Sequence, residues 1–201
     1  MSDDLEEILV KKAKEGNITA FEKLIISHER NIYNIAYRMF NNEEDAKDIT
    51  QEVFMKVYRN ISKFDENSRI STWIHRICVN TCIDEIRKRK GKETSSIDES
   101  INLEQSSVKK QYIDNTLTPE EALITKEDMK DIKKAIDTLS EDHKTIIILR
   151  DIQNLNYLEI ADITGSSLGT VKSRLSRARL HLKNIIMENK ELSKHENRLK
   201  I

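Results

Sequence analysis

Four glycines and one proline in 201 residues leave few places for the tight turns that hairpins and sandwiches need. Leu, Ile, Lys, Glu and Asp fall instead into helical periodicities, so the chain is expected to be all-α. No apolar run approaches the roughly 20 residues of a bilayer-spanning helix. Met1 to Val10 is acidic rather than a basic leader with an apolar core, which points to a cytoplasmic protein with no membrane insertion of its own. The two cysteines, Cys78 and Cys82, are four apart, a spacing that puts both on one helix face and disfavours a mutual disulfide. With His75 nearby a metal site is conceivable, but it has only three ligands within reach. Small buried thiols are the commoner reading, so no metal or cofactor is expected. Paired carboxylates, a nucleophilic triad and a phosphate loop are all missing, so no catalytic residue and no enzyme are expected.

What is present is charge, segregated along the chain. The formal net charge is only -1, with 34% charged residues. Arg69 to Lys92 holds seven Lys/Arg against Asp84 and Glu85, a balance of +5, whereas Glu93 to Asp131 has ten acids against four lysines, a balance of −6. This pattern suits a protein that meets nucleic acid with some faces and protein with others.

Tyr157 to Leu182 is the most informative stretch. Asn156 is a candidate N-cap with Glu159 three residues on, a capping-box arrangement. Gly165 can take positive φ at little cost and so marks a sharp reversal. Ser166 or Ser167 can cap a following helix with the apolar stripe Leu168, Val171, Leu175, Ala178 and Leu182. Its other face carries Lys172, Ser173, Arg174, Ser176, Arg177, Arg179 and Lys183, and no acid lies between Ser166 and Lys183. With small Ala161, Gly165 and Val171 at the right spacing, this reads as a helix-turn-helix whose second helix enters the major groove.

Elsewhere, Leu5, Ile8, Leu9 and Ala13 start a first helical block that Gly16-Asn17 interrupts and that continues to about Phe40. Asn41 or Asn42 can cap the next helix, with the inward stripe Ala46, Ile49, Val53 and Val57. Asp48, Gln51 and Glu52 share another face, which the pattern alone reads as solvated surface. Ser62 to Ser71 is a polar loop with one exposed aromatic, Phe64. A helix from about Thr72 to Lys90 then brings Trp73, Arg76, Asn80 and Arg87 onto one face, chemistry suited to stacking on and charge-pairing with single-stranded nucleic acid. Taken alone, Trp73 as core and the basic run as a solvated helix end fit equally well. Gly91 to Thr116 loses periodicity and reads as a flexible linker. Thr118-Pro119-Glu120-Glu121 starts a helix, and Ser140 can cap another holding Ile146 to Leu149. The expected organisation is a helical domain over 1–90, an acidic linker over 91–117, a helix-turn-helix domain over 118–190 and a polar tail over 191–201.

Three motifs in this order, Asp45-Ala46-Lys47-Asp48-Ile49-Thr50-Gln51-Glu52-Val53-Phe54, Ser71-Thr72-Trp73-Ile74-His75-Arg76-Ile77-Cys78-Val79-Asn80-Thr81, and Tyr157 to Arg179, resemble the bacterial sigma factors of the extracytoplasmic-function group. The resemblance covers about residues 18–90 and 118–184. It implies a non-catalytic promoter-specificity subunit, and it turns the Asp48, Gln51 and Glu52 patch into a docking face for the clamp helices of the core RNA polymerase largest subunit. It implies that Phe64, Ser68 and Asn80 form or flank a pocket for a base flipped from the downstream promoter element, with Arg76, Arg87 and Arg89 on phosphates. Lys172, Ser173, Ser176 and Arg177 would face bases of the upstream element, and Thr170, Arg174 and Arg179 its phosphates. Further implied partners are the flap of the second-largest subunit, double- and single-stranded promoter DNA, and an anti-sigma factor. The linker acids Glu93, Asp98, Glu99 and Glu104 would mimic nucleic-acid charge in a basic channel. A stand-alone helix-turn-helix regulator is the competing reading. It leaves Asp48, Gln51, Glu52 and the Trp73 to Lys90 helix without a purpose.

Overall fold

The computed structural model describes residues 3–95 and 131–199. Among the described residues the regular structure is entirely helical. Helix α1 (Asp3–Lys14) ends at Gly16, whose φ of +90° only glycine adopts readily. Asn17 caps α2 (Ile18–Phe40) by accepting from the Ala20 amide at 2.9 Å. The two asparagines that follow divide the labour. Asn41 takes the left-handed conformation that stops α2, and Asn42 caps α3 (Glu43–Asn60), accepting from the Glu44 and Asp45 amides at 2.8 and 3.1 Å. A 3-10 turn (Ile61–Lys63) and a polar loop lead into α4 (Ile70–Ser95).

In the second half, α5 is described over residues 131–137. Helix α6 (Glu141–Ile147) widens into a π turn (Ile148–Ile152), followed by α7 (Tyr157–Thr164) and α8 (Leu168–Leu199). Ile146, Ile147, Ile148 and Leu149 are all buried in succession, a run that covers more of the circumference than one helical stripe. Ser140 holds the cap position of α6, but its side chain makes no capping bond there. Helix α4 begins before Thr72 and carries on through Gly91, the expected start of the linker, to Ser95. The expected linker acids Asp98, Glu99 and Glu104, and the expected helix start at Thr118, lie outside the described residues.

The first half packs Leu24, Ile32 and Ile35 of α2, Ala46, Val53 and Val57 of α3, and Ile74, Cys78 and Cys82 of α4 into a dry core. Phe64 corrects the reading of an exposed loop aromatic: it is only 5% exposed and lies against Trp73, ring centroids 5.2 Å apart. The Lys14 ammonium donates to its carbonyl at 3.1 Å, so three elements close over it. The buried side chains of both halves form one continuous cluster, and α7 lies against α4.

His75 sits inside this core with neither ring nitrogen hydrogen-bonded to the protein. Burial, helped by nearby His28, holds its pKa down at about 4. His28, 3.0 Å from Glu6, is lowered in the same direction by burial, with Glu6 opposing. Cys78 is fully buried, and the neighbouring Cys82 thiol together with burial pushes its pKa well above the ordinary value, so it is an inert packing thiol. Among the described residues no three His, Cys, Asp or Glu side chains converge as a metal site.

The His75 shift fixes a pH dependence. The unfolded chain takes up the proton near pH 6.5 and the folded chain only near 4, so this stability is complete above about 6.5 and is lost as pH falls toward 4. Chemical denaturation across that window should show a loss on the order of 2–3 kcal/mol. His75→Phe should keep the fold at pH 7.5 and flatten the slope. An unchanged slope in the variant would mean that other groups carry it.

Candidate nucleic-acid interface

Helix α8 is held by local rules that the sequence carries openly. Asn156 accepts from the Leu158 and Glu159 amides at 2.9 and 3.0 Å, and Glu159 returns a carboxylate oxygen to the Asn156 amide at 2.8 Å, a complete capping box. Gly165, φ +60°, ends α7 and directs its amide at the Ala161 and Asp162 carbonyls. Ser167, rather than Ser166, then caps α8 by accepting from the Thr170 amide at 3.1 Å. Burial of Val171, Leu175 and Ala178 fixes the rotation of α8, so Lys172, Ser173, Ser176 and Arg177 face solvent together.

Two arginines of this helix are already oriented by acids. Arg179 grips Asp151 of the π turn with two nitrogens, Nε at 3.2 Å, and its pKa is raised chiefly by those bonds. Arg174 lies 3.4 Å from Asp142 of α6. Thr170 is tied to the Ser167 hydroxyl at 2.8 Å. The motif pattern gave no hint of Asp142 or Asp151, because both pairings are long-range.

On the first half, Lys56, Asn60, Lys63, Trp73, Asn80 and Asp84 line an open groove of about 470 Å³ between α3 and α4. Lys56 donates to Thr81 Oγ at 3.0 Å and pairs with Glu52 at 2.8 Å, which sets one wall. Asn80 is exposed at the rim and Trp73 half-buried. Ser68 is exposed on the loop, its hydroxyl donating to the Asp65 carbonyl. Phe64 does not reach the groove as a free ring; it backs Trp73 from the core. Lys56 and Lys63 were not anticipated. Their sequence signal is weak, because lysines on amphipathic helices are ordinary.

The basic end of α4 divides in two. Arg87 is exposed with no ion-pair partner among the described residues. Arg89, expected on a phosphate, is held by two acids in the free chain. Its two terminal nitrogens meet both Asp45 oxygens at 2.9 and 2.8 Å, Nε meets Glu85 at 2.9 Å, and the guanidinium lies 5.1 Å from the Phe40 ring centre. Those bonds hold the Asp45 and Glu85 carboxyls below their usual range. Arg89 therefore ties α4 to the start of α3 and the end of α2. Next to that knot, Asp48, Gln51 and Glu52 are all exposed on one face of α3.

A helix-turn-helix with an acid-free basic face and a groove beside a basic helix are features of a class of helical transcription proteins. The sigma-70 region 2 family matches residues 24–92 and the sigma-70 region 4 family residues 129–182. The ECF RNA polymerase sigma factor SigW of Bacillus subtilis is 35% identical over 170 residues, 85% of this chain and 90% of that protein. The ECF RNA polymerase sigma-E factor of Escherichia coli K12 is 32% identical over 184 residues, 89% and 93% of the two chains. Among solved structures, the sigma factor RpoE of Bartonella quintana, in complex with the anti-sigma factor NepR, superposes with a TM-score of 0.64 at 26% identity, covering 83% of this chain and 96% of that one. The chain belongs to the extracytoplasmic-function group of RNA polymerase sigma factors. As an alternative sigma factor it directs transcription.

The two arginines should separate in a thermal melt. Arg89→Ala is expected to destabilise by about 1 kcal/mol, lowering Tm by roughly 2–4 °C. Arg87→Ala should stay within about 0.5 kcal/mol of the parent. Equal effects would mean that the Arg89 knot contributes nothing beyond an ordinary exposed side chain.

Proposed function

We propose that this sigma factor binds core RNA polymerase through Asp48, Gln51 and Glu52 and splits promoter recognition between the α3–α4 groove and the exposed face of α8. The carrying observation is that one chain presents both an exposed acidic face on α3 and an acid-free basic face on α8. A stand-alone operator-binding regulator needs only the second. By likeness to the family, the acidic face meets the clamp helices of the largest subunit, and the second domain also meets the flap of the second-largest.

In the downstream element, the groove of about 470 Å³ offers an aromatic wall in Trp73, an amide in Asn80 and ammonium groups in Lys56 and Lys63. That set can stack on an extruded base, read its edge and neutralise its phosphate. Flipping a base loses a few kcal/mol of stacking, so the receiving site must return energy of that order. Ser68 flanks the groove, with Arg76 and Arg87 on the strand beyond. Upstream, Lys172, Ser173, Ser176 and Arg177 read base edges while Thr170, Arg174 and Arg179 hold phosphates. The acids Asp142 and Asp151 then act as positioning residues that order Arg174 and Arg179 before DNA arrives, reducing the rotamer entropy lost on binding. The chain works in the cytoplasm as an initiation factor rather than an enzyme. An anti-sigma factor, of the kind bound to the Bartonella relative, would hold it inactive.

Run-off transcription with bacterial core polymerase on a genomic library tests the whole reading. Adding the protein should create discrete start sites that share two spaced elements. Unchanged initiation with active core enzyme would overturn it, and tight binding of duplex promoter by the free protein would restore the operator-binding alternative. On a promoter found this way, replacing Asp48, Gln51 and Glu52 together by Ala should cut transcription at limiting sigma factor by about tenfold or more, equivalent to about 1.4 kcal/mol of core binding. Tm should stay near the parent value because all three are exposed. Full activity in this variant would remove the face from the docking surface.

A further inference from the structure

Helix α1 precedes the residues that the region 2 family matches, and promoter recognition as proposed above makes no use of it. It is anchored nonetheless. Leu9, Val10 and Ala13 are buried in the core, and Glu6 stands 3.0 Å from His28 of α2. At its C-terminal end Lys14 reaches fifty residues along the chain, its ammonium donating to the Phe64 carbonyl at 3.1 Å and to the Glu66 carboxylate at 2.7 Å. These two bonds are unequal. The pair with Glu66 is partly open to solvent, and such pairs contribute little by themselves. The acceptor at Phe64 belongs to a buried residue, and an ammonium gives it a charge-assisted bond.

The loop that follows is ordered from within. The Asp65 carboxylate accepts from the Asn67 amide at 3.0 Å, and the Asp65 carbonyl accepts from the Ser68 amide and hydroxyl, both at 3.2 Å. Residues 64–68 therefore form one unit, and Lys14 ties that unit to α1. The consequence reaches the groove. Phe64 lies behind Trp73 with the ring planes tilted by 48°, and Lys63, next to Phe64 in the chain, also lines the groove. Trp73 is half-buried, so its indole keeps one orientation only while its inner side is backed. Lys14 fixes Phe64, and Phe64 fixes the plane on which an extruded base would stack.

We propose that Lys14 is a positioning residue for capture of the downstream strand, holding the 64–68 loop against α1 so that Phe64 keeps Trp73 in its stacking orientation. Helix α1 thus serves strand capture without touching DNA. The proposal rests on the reading of the α3–α4 groove as the single-strand site. The gain is pre-organisation, because a platform that is already ordered loses less side-chain freedom when a base arrives.

Trp73 is the one tryptophan of the chain, so its emission reports the wall directly. In the free full-length protein, Lys14→Met should raise acrylamide quenching of Trp73 above the parent's, whereas Lys14→Arg, which keeps a charged donor, should leave it near the parent's. With core polymerase, on a promoter found by run-off, the quantity to read is a discrimination ratio: initiation on that promoter over initiation after substitution at the downstream base to which the parent is most sensitive. Lys14→Met should lower this ratio by a factor of about 2–10, the equivalent of ordering one large side chain, and leave the corresponding upstream ratio unchanged. Lys14→Arg should restore the downstream ratio. A merely structural lysine would instead lower Tm and reduce initiation on every promoter alike. Lys14→Ala replaces Lys14→Met if circular dichroism shows that the latter does not fold. Unchanged quenching, or raised quenching beside an unchanged downstream ratio, overturns the positioning role. Absent run-off by the parent with active core enzyme refutes the sigma reading and the proposal with it. That failure is told apart from a failure of Lys14 alone because the quenching measurement needs no polymerase.

Discussion

Helix α4 has to keep one side dry and the other wet. Ile70, Ile74, Cys78, Val79 and Cys82 are buried against the other helices of the first half, each large aliphatic contributing about 1.5–3 kcal/mol on burial. A helix turns by about 100° per residue, so slipping by one position would expose that stripe and bury Arg76 or Asn80 in its place. The penalty for burying an unpaired guanidinium is far larger than any gain at the groove, and the rotation is therefore set by the core. The Cys78 thiol faces α2, its Sγ 3.9 Å from the Ile32 carbonyl oxygen. At the far end Arg89 fixes the same rotation from outside through Asp45 and Glu85. Everything on the wet side, the groove with Asn80 at its rim as well as Arg76 and Arg87, inherits its position from these contacts.

The second half solves the same problem by shorter-range means. Capping box, left-handed glycine and Ser167 cap lie within a dozen residues, and three small or medium apolar side chains fix the rotation of α8. Its exposed face is consequently legible from sequence alone, because each rule involves residues that are neighbours in the chain. The Asn41-Asn42 pair was legible for the same reason, though only as a pair, since either asparagine suits either task until α2 is seen to end; Asn17 showed only as part of a break, and its cap appears with the fold. The Asp48, Gln51 and Glu52 face needed the family resemblance to be singled out, because an exposed acidic patch has no local signature that separates docking from solvation.

What the sequence hid was decided by partners far along the chain. Phe64 looked like a free platform because its neighbours are polar, yet Trp73 and Lys14 cover it. Arg89 sits in a run of four basic residues, and nothing local distinguishes it from Arg87; only the fold brings Asp45 opposite it. Ser140 occupies a cap position without the bond, so the residue type was right and the geometry was not. The π turn at Ile148 left no signal except four consecutive buried aliphatics, which a core helix would also show.

The distribution of charge now has a single physical account. Free basic faces attract any polyanion, and a protein with net charge of only -1 has no overall field to prevent it. Here part of the positive charge is met residue by residue: Asp45 and Glu85 on Arg89, Asp151 on Arg179, Asp142 on Arg174, Asp162 and Glu159 on Arg76 and Arg69, while Arg87, Lys172 and Arg177 stay exposed. The last two pairs differ from the rest because they join the two halves of the chain. With the DNA contacts split between two surfaces, as proposed, weak sites reinforce each other only when something fixes their spacing. On the proposed function, polymerase would supply that fixed spacing, so promoter specificity would arise within the complex.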